Sequence, residues 1–409
     1  MVNFQQFIIV VAALSPLTSA VPKRQQQKRE VIQDRYIVTL KNNISTADVR
    51  NHLDWVDSMH SLKFGKRKAA GVDKTYNIQD WNAYAGEFDS DTIEEIKSDA
   101  AVASVEEDQV WYIFNGSSKT DHIARALATQ TNTTWGLATV SHREPDFTSY
   151  VYDSTAGSGT YAYIVDSGIL TTHIEFGGRA SYGYNAVGGP NVDSYGHGTH
   201  VAGIISGATY GVSKLTKDIA VKVFEGESTL VSIILDGYSW AVNDITSKSR
   251  QSKSVISISI SGRYSAIFND AIDVAYSSGI LTVVAAGNEA TDAAIVSPAS
   301  APHALTVGAL DSNWSEADYS NYGPILDIYA PGTEILSAWI GSDTDTYIDS
   351  GTSMATPHVT GLALYLMALE GLSGPDAVIA RIKSLATSDM ITGLSSGSPN
   401  LILCNGQGT

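Results

Sequence analysis

The nine residues YAYIVDSGI, at positions 161–169, indicate how the second half of the chain folds. Five apolar or aromatic residues follow one another without alternation, as in a strand that is covered on both faces, and an aspartate comes next. Five further apolar runs have the same character: DIAVKVF (218–224), SVISISI (254–260), ILTVVAA (280–286), ALTVGAL (304–310) and LDIYA (326–330). Helical patterns such as THVAGIISG and LVSIILDGYSWAVNDI lie between several of them. We therefore predict an α/β fold, a parallel sheet with helices on both faces.

The first half of the chain has a different pattern and a different charge. RYIVTL (35–40) reads as a strand and STADVRNHLDWVDSMH (45–60) as an amphipathic helix, and two strands, a short helix and a last strand follow. This βαββαβ order predicts a small α+β domain with one open-faced sheet, of the ferredoxin-like kind. Residues 21–125 carry 15 Lys and Arg against 17 Asp and Glu, whereas the remainder carries 11 against 26. The polar join FNGSSKTDHIARALATQTNTTWG between the halves is typical of a linker open to proteolysis.

Composition places the chain among globular proteins and excludes some partners. Of its 409 residues, 43% are hydrophobic and 17% are charged, and the net charge is −17. Such a surface offers no basic patch, so we expect neither nucleic acid nor an anionic membrane as a partner. Residues 1–20 contain a short apolar run and end in small residues at Ala20, which predicts a cleaved signal peptide and a secreted, extracellular protein. Cys404 is the single cysteine, so no intramolecular disulfide can form. The candidate glycosylation sites are Asn43, Asn115, Asn132 and Asn313.

The stretch GTSMATPHVTG (351–361) places Ser353 among small residues just before Pro357. Since proline is tolerated mainly in the first turn of a helix, Ser353 lies at or near a helix start, where unpaired N–H groups favour negative charge. A serine N-cap is the ordinary interpretation. A catalytic role requires a base and an orienting acid as well, and Asp166, at the end of a buried strand, and His197, at a Gly-flanked helix start, supply those residue types.

A fourth signal supports acyl transfer by Ser353. Asn288 follows a predicted strand in VVAAGNEA, and its side-chain amide, together with the Ser353 backbone N–H, can donate to the oxyanion of a tetrahedral intermediate. His200, one turn after His197, is expected to pack or hydrogen-bond locally rather than to bind metal, because no Cys or Glu accompanies the pair.

Together, DSGI, HGTHVAG, AAGN and GTSMATPHV resemble the motifs of the subtilisin-like serine endopeptidases, in that family's order Asp, His, Ser. WGLATVSH, SPAS and GPILDIYAPGT point to the proteinase K-like subgroup, as in extracellular proteases of filamentous, including nematode-trapping, fungi. The similarity covers residues 130–400, and residues 35–112 resemble the inhibitory propeptide of the family. The implied domains are a signal peptide (1–20), a propeptide (21–125) and a subtilisin-like catalytic domain (126–409).

The resemblance also implies how the precursor works. The propeptide would serve as folding template and inhibitor, with autocatalytic cleavage between about Arg125 and Thr129. Its acidic run Glu106, Glu107 and Asp108 would meet helix N-termini of the catalytic domain. Substrates would be proteins or peptides that pair as added β-strands with the enzyme. The substrate-binding residues carried over are Ser259, Ile260, Ser261, Gly262, Ala285, Ala286 and Gly287.

Small residues at 285–287 suggest an apolar or aromatic P1 preference. Ser261 and Arg263 stand where the family has glycines, which leaves the fine S1 and S4 specificity open. No cofactor is implied for the chemistry. A structural calcium ion is implied, with ligands at Pro302, Ala304 and Asp327.

We therefore predict a secreted serine endopeptidase, made as an autoprocessed zymogen and working as a monomer. An α/β-hydrolase esterase is the alternative enzyme, but GTSMA lacks the Gly-x-Ser-x-Gly elbow of that fold. The other alternative is a catalytically silent binding protein of the same fold. The sequence leaves open the natural substrate, the exact maturation site, the calcium affinity and the glycan occupancy.

Overall fold

The computed structural model describes residues 31–42, 44–64, 71–113 and 129–408. The predicted signal peptide, the sequons at Asn43 and Asn115 and the predicted cleavage region between Arg125 and Thr129 lie outside the described residues. The sequons at Asn132 and Asn313 are described, and both asparagines are exposed.

The first domain has the predicted βαββαβ order. Its elements are β1 (Val31–Leu40), α1 (Thr46–Phe64), β2 (Gly71–Ile78), β3 (Trp81–Glu87), α2 (Ser90–Ser98) and β4 (Val102–Tyr112). The strands lie in the order β4-β1-β3-β2 and all pair antiparallel. Asp89 caps the start of helix α2, since its carboxylate accepts the Thr92 N–H at 2.7 Å, and Ile93 and Ile96 of that helix are buried. These apolar side chains join those of α1 and the sheet in one core.

The second domain contains the larger sheet. Its elements in chain order are β5 (Thr129–Thr131), α3 (Trp135–Thr139), β6 (Ser149–Val151), β7 (Tyr161–Asp166), β8 (Ala180–Asn185), α4 (His197–Ser206), β9 (Lys217–Lys222), β10 (Ser228–Leu230), α5 (Val231–Ser247), β11 (Ser254–Ile258), β12 (Gly262–Arg263), α6 (Ala266–Ser277), β13 (Leu281–Ala285), β14 (Val296–Ser297), β15 (Leu305–Leu310), β16 (Ile328–Pro331), β17 (Ile335–Ala338), β18 (Thr346–Asp349), α7 (Thr352–Glu370), α8 (Pro375–Leu385), β19 (Thr387–Ser388) and β20 (Leu401–Ile402). Short 3₁₀ turns occupy Ile174–Phe176, Gln251–Lys253 and Ala293–Ile295. Nine strands form one sheet in the order β19-β20-β16-β15-β13-β11-β7-β9-β8, parallel except for the pair β19 and β20.

Strand β7 shows why the sheet is covered on both faces. Its Ala162 and Ile164 belong to an apolar cluster that includes residues of α4 and α7. Its Tyr163 and Val165 belong to a second cluster that includes residues of α5 and α6. Because each large apolar side chain contributes about 1.5–3 kcal/mol when fully buried, the continuous apolar run favours this two-sided position. The predicted α/β fold is confirmed.

The sequence patterns did not predict several elements of the second domain, among them β8 and α8. Edge strand β8, ASYGYN, is rich in tyrosine and glycine and lacks the apolar run of the central strands. Helix α8 starts with Pro375 in its first turn and buries Val378 and Ile382. Within the described residues, no single helix is long and apolar enough to cross a membrane; α7 and α8 meet that test only together, and they are bent by 104°.

The first domain docks on the second domain through β4. Strand β10 pairs antiparallel with β4 and so extends the sheet of the first domain by one strand. Glu106 accepts the Ser265 hydroxyl at 2.7 Å and the Ala266 N–H at 2.8 Å, at the start of α6. Asp108 accepts the N–H and the hydroxyl of Ser232, at the start of α5.

Two of the three acidic residues, Glu106 and Asp108, therefore form the expected contacts with helix N-termini. Both carboxylates meet the positive ends of helix dipoles. Glu107, between them, is exposed and points away, because successive side chains of a strand alternate.

Candidate active site

Asp166 and His197 form a fully buried pair. Asp166 ends β7 and His197 begins α4, and the imidazole Nδ1 lies 2.9 Å from each carboxylate oxygen. Burial lowers the pKa of His197, but the charge and hydrogen bond of Asp166, helped by the charges of Asp349 and Asp193, outweigh it. The pKa of His197 therefore lies above its ordinary value of 6.5.

Asp193 fixes the start of α4, a role that the sequence analysis missed. Its Oδ1 accepts the N–H groups of Tyr195 and Gly196, and its Oδ2 accepts the N–H and hydroxyl of Thr199. Ser167 donates its hydroxyl to Asp193 at 2.9 Å and accepts the N–H of the residue after His197 at 3.0 Å. An aspartate a few residues before a Gly-rich helix start is a capping signal that could have revealed this residue.

Glycine is required directly after His197. A Cβ added to Gly198 would lie 2.1 Å from the carbonyl oxygen of Gly168, which follows β7. The close approach brings the start of α4 against the end of β7, and so brings the imidazole to the carboxylate of Asp166.

Ser353 is the second residue of α7, and its main partner is Ser259, which follows β11. The Ser353 hydroxyl donates to the Ser259 carbonyl at 3.0 Å, and the Ser259 hydroxyl donates to the Ser353 carbonyl at 2.9 Å. Pro357 explains the second bond, because it has no N–H to give to the carbonyl four residues earlier. His197 Nε2 is buried and has no hydrogen-bond partner within the described part of the chain. In this structure the Ser353 hydroxyl is thus turned to Ser259 rather than bonded to the imidazole.

Asn288 follows β13 and is held by Thr352, the first residue of α7. Its Oδ1 accepts the Thr352 N–H at 2.8 Å and the Thr352 hydroxyl at 2.9 Å, which leaves Nδ2 as the group that can donate to a ligand. The Thr352 hydroxyl oxygen in turn accepts the Gly287 N–H at 3.1 Å. Thr352 is a further site residue that the motif analysis did not single out.

The residues predicted to bind substrate lie around this centre. Ser261 forms an isolated antiparallel bridge with Tyr112, and Gly262 lies against Trp111 so closely that a Cβ would stand 2.1 Å from the indole ring. Ser261 is buried and Arg263 is exposed. Behind the segment Ala285, Ala286 and Gly287, Asn321 donates to the Ala286 carbonyl at 2.9 Å. Strand β4 of the first domain therefore covers the segment that was predicted to receive a substrate strand.

The other two histidines near the site are structural. Burial lowers the pKa of His200 to about 3, and its Nε2 lies 3.0 and 2.9 Å from the carbonyls of Ile335 and Tyr347. Burial likewise lowers the pKa of His358 to about 4, with Nδ1 at 2.8 Å from the Met354 carbonyl. Both imidazoles are neutral at physiological pH, and His200 packs locally, as expected.

The residues predicted to hold calcium do not fit a metal ion as their side chains stand. Asp327 Oδ1 lies 2.6 Å from the ammonium of Lys383, and Oδ2 accepts the Thr306 N–H at 2.8 Å. Among the described residues there is no group of three or more His, Cys, Asp or Glu that could hold a metal ion. The carbonyls of Pro302 and Ala304 would have to supply the other protein ligands, and the calcium site stays a prediction.

Asp166 ends β7, and Ser259 and Asn288 follow the carboxyl ends of β11 and β13, the next two strands of the sheet. Polar groups converge at this edge of a parallel sheet, where ligand sites of such folds lie. This edge of the sheet holds a buried Asp–His pair and a serine at a helix start. A serine hydrolase uses these residue types for catalysis.

Comparison with known proteins identifies the family. Residues 157–398 match the subtilase family, Peptidase S8, and residues 35–114 match the peptidase inhibitor I9 family. An alkaline proteinase of Hapsidospora chrysogena is 55% identical, with 100% of each chain covered. Alkaline protease 1 of Aspergillus clavatus is 51% identical over 99% of this chain and 100% of its own. The crystal structure of a cold-adapted subtilisin-like serine proteinase superposes with a TM-score of 0.62 at 35% identity, covering 67% of this chain and 99% of that one.

The chain therefore belongs to the subtilase family and carries an I9 propeptide ahead of its peptidase domain. It is a subtilisin-like serine endopeptidase made as a zymogen, and the family needs no cofactor for catalysis. The predicted family, fold class and enzyme class are confirmed.

Proposed function

We propose that this protein is a secreted endopeptidase that hydrolyses protein substrates through an acyl-enzyme on Ser353. The observation that supports the proposal best is the buried pair of His197 and Asp166, with Nδ1 at 2.9 Å from the carboxylate and Nε2 left without a partner among the described residues. An imidazole held in this tautomer is prepared to accept a proton at Nε2.

Each step of the reaction has a residue assigned to it. Ser353 rotates away from the Ser259 carbonyl, passes its proton to His197 Nε2 and attacks the substrate carbonyl carbon through Oγ. The oxyanion accepts hydrogen bonds from Asn288 Nδ2 and the Ser353 N–H, at the positive end of α7. His197 then protonates the leaving amine, the acyl-enzyme forms, and a water molecule activated by the same imidazole releases the second product. Asp166 stabilises the imidazolium and keeps its orientation throughout.

Substrate pairs with the same segments as the propeptide. A peptide strand would replace β4 beside β10 and beside the segment from Ser259 to Gly262, with main-chain hydrogen bonds providing affinity. The small wall of Ala285, Ala286 and Gly287 favours an apolar or aromatic P1 side chain. Arg263, exposed at the rim of that segment, adds a positive charge near the more distant subsites.

The propeptide is the protein's own chaperone and inhibitor. Its contacts with the starts of α5 and α6 and its pairing with β10 hold it over the substrate segment before the chain is cut and until the cut propeptide dissociates. We place the maturation site between about Arg125 and Thr129, with domains 21–125 and 126–409. The mature enzyme is extracellular and monomeric, after removal of a signal peptide at about Ala20. Asn132 and Asn313 are exposed enough to accept glycans.

A comparison of secreted wild type with Ser353→Ala tests the proposal. We expect intact-mass measurement to show a wild-type chain trimmed near residue 126 that hydrolyses casein, and a Ser353→Ala chain that stays uncut and inactive. Activity on short esters without casein hydrolysis would favour an esterase. If both chains mature alike and neither cleaves casein, a silent binding protein of the same fold is the better description.

A further inference from the structure

Lys383 binds the carboxylate that the sequence analysis assigned to calcium. Its ammonium lies 2.6 Å from Asp327 Oδ1, while Oδ2 accepts the Thr306 N–H at 2.8 Å. Both oxygens of Asp327 are thus engaged by groups of the protein itself.

The two ends of this contact are fixed by the backbone. Asp327 donates its own N–H to the Thr306 carbonyl at 2.9 Å, so Asp327 and Thr306 are joined in both directions. Lys383 lies in the last turn of α8, directly after Ile382, which is fully buried and anchors that turn. The side chains of Lys383 and Asp327 are 40% and 19% exposed, so the contact lies at the edge of the core.

The Lys383 ammonium occupies the position beside Asp327 Oδ1 that a calcium ion would need. Calcium binds carboxylate oxygens at about 2.3–2.6 Å and needs about six to eight oxygen ligands in all. The Lys383 nitrogen already stands at that distance from Oδ1. A bound calcium ion would have to displace the lysine and would then lie close to a like charge.

The described residues supply no cluster of metal-binding side chains to offset that cost. Within the described residues, Asp327 is not part of any group of three His, Cys, Asp or Glu suited to a metal ion. We propose that Lys383 is a built-in cation that takes the place of calcium at Asp327. It joins α8 to the residue before β16, and this link does not depend on dissolved calcium.

The experiment measures how much calcium raises the unfolding temperature, and which part of that rise is lost when Asp327 is replaced. The Ser353→Ala full-length chain is the parent in every case, because it cannot digest itself. Four further changes are made in it: Lys383→Met, Lys383→Gln, Asp327→Asn and Lys383→Met with Asp327→Asn. Lys253→Met, at an exposed lysine in a 3₁₀ turn, is the matched control. Each chain is melted with a chelator and with ~10 mM calcium at equal ionic strength, and equilibrium dialysis with radioactive calcium counts the bound ions.

We expect calcium to raise the unfolding temperature of the parent and of Lys253→Met by the same amount as that of Asp327→Asn. No part of the calcium-induced rise then depends on Asp327. Lys383→Met and Lys383→Gln should gain about 5 °C, for a dissociation constant of ~0.1 mM, and should bind one more ion than the parent. The double substitution should lose that gain. Two variants of different polarity are used so that one failure to fold does not end the test.

Two results would overturn the proposal. One is that calcium raises the unfolding temperature of the parent and that Asp327→Asn removes this rise. The site would then hold metal despite the lysine. The other is folded Lys383→Met and Lys383→Gln chains that gain neither a shift nor an ion, since the lysine would then not be what excludes calcium.

Discussion

At the scale of single residues, the hydrogen bonds of Ser353 depend on a proline four positions along the helix. Pro357 cannot donate to the Ser353 carbonyl, and the Ser259 hydroxyl donates to it instead, at 2.9 Å. In return the Ser353 hydroxyl rests on the Ser259 carbonyl. Ser353, the proposed nucleophile, is thereby bonded through both its side chain and its backbone to the residue after β11.

This arrangement predicts a coupling between Ser259 and Pro357. Ser259→Ala should lower the free energy of unfolding by about 1–3 kcal/mol, because it leaves the buried Ser353 carbonyl without a partner. In a Pro357→Ala chain the restored N–H can take over, so Ser259→Ala should cost about 1 kcal/mol less there. Urea unfolding of the four chains of this double-mutant cycle gives the coupling. Equal costs in both backgrounds would show that the Ser259 hydroxyl is not the partner that the proline requires.

The His197–Asp166 pair predicts the pH dependence of catalysis. The base must be neutral, and its pKa is raised above 6.5 by the carboxylates around it, so kcat/KM should rise with pH through a midpoint above 6.5. Asp166→Asn should move this acidic limb to lower pH and reduce kcat by about 10⁴-fold. Initial rates on a peptide amide between pH 5 and 10 check this, with exposed Glu144→Gln as the control. An unchanged limb in Asp166→Asn would exclude His197 as the titrating base.

At the scale of elements, the propeptide uses one strand for two purposes. Main-chain atoms of β4 pair with β10, while alternate carboxylates of the same strand, Glu106 and Asp108, cap α6 and α5. Burial raises the pKa of Asp108 despite its bonds to Ser232 and Arg35. The period of two in a strand explains how one edge recognises both a partner strand and two helix ends.

The helix contacts predict how fast the cut propeptide leaves. Glu106→Ala should make activity appear about 10-fold faster after processing, because it removes a cap and a charge at the start of α6 that are worth about 1 kcal/mol. Glu107→Ala changes the exposed neighbour on the other face and is the matched control. Activity is followed per mole of processed chain, so that any loss of folding yield does not enter. The same acceleration in Glu107→Ala would mean that general charge, rather than the cap, holds the propeptide.

At the scale of the whole molecule, the charge of the catalytic half differs strongly from that of the propeptide. Residues 126–409 carry 26 acidic against 11 basic residues. A surface of one sign attracts substrates of the opposite sign, and dissolved salt screens this attraction.

We therefore expect kcat/KM for a Lys/Arg-rich peptide to fall as salt rises from ~0.01 to ~0.5 M, with little change for a neutral analogue of the same cleavage sequence. The pair of peptides is its own control, since effects of salt on the enzyme alone act on both. If both peptides respond alike, the net charge of the enzyme does not steer its substrates.

The sequence by itself determined the βαββαβ order of the propeptide and the central strands of the parallel sheet. These follow from local apolar periodicity, which each segment carries within about ten residues. It also singled out Asp166, His197, Asn288 and Ser353 as candidates, because each lies in a short motif beside a strand end or a helix start. The sequence did not predict edge strand β8, because a strand at the outer edge of the sheet does not need a continuous apolar run.

Only the tertiary structure decided how those residues are held. The motifs do not show how these residues contact one another. Asp193 binds the start of α4, Thr352 binds Asn288, and Ser259 binds Ser353. The ammonium of Lys383 reaches Asp327 across 56 positions of the chain. The physical reason is that a hydrogen bond or an ion pair depends on atoms within about 3 Å of one another, and packing brings these together from segments that share no local pattern.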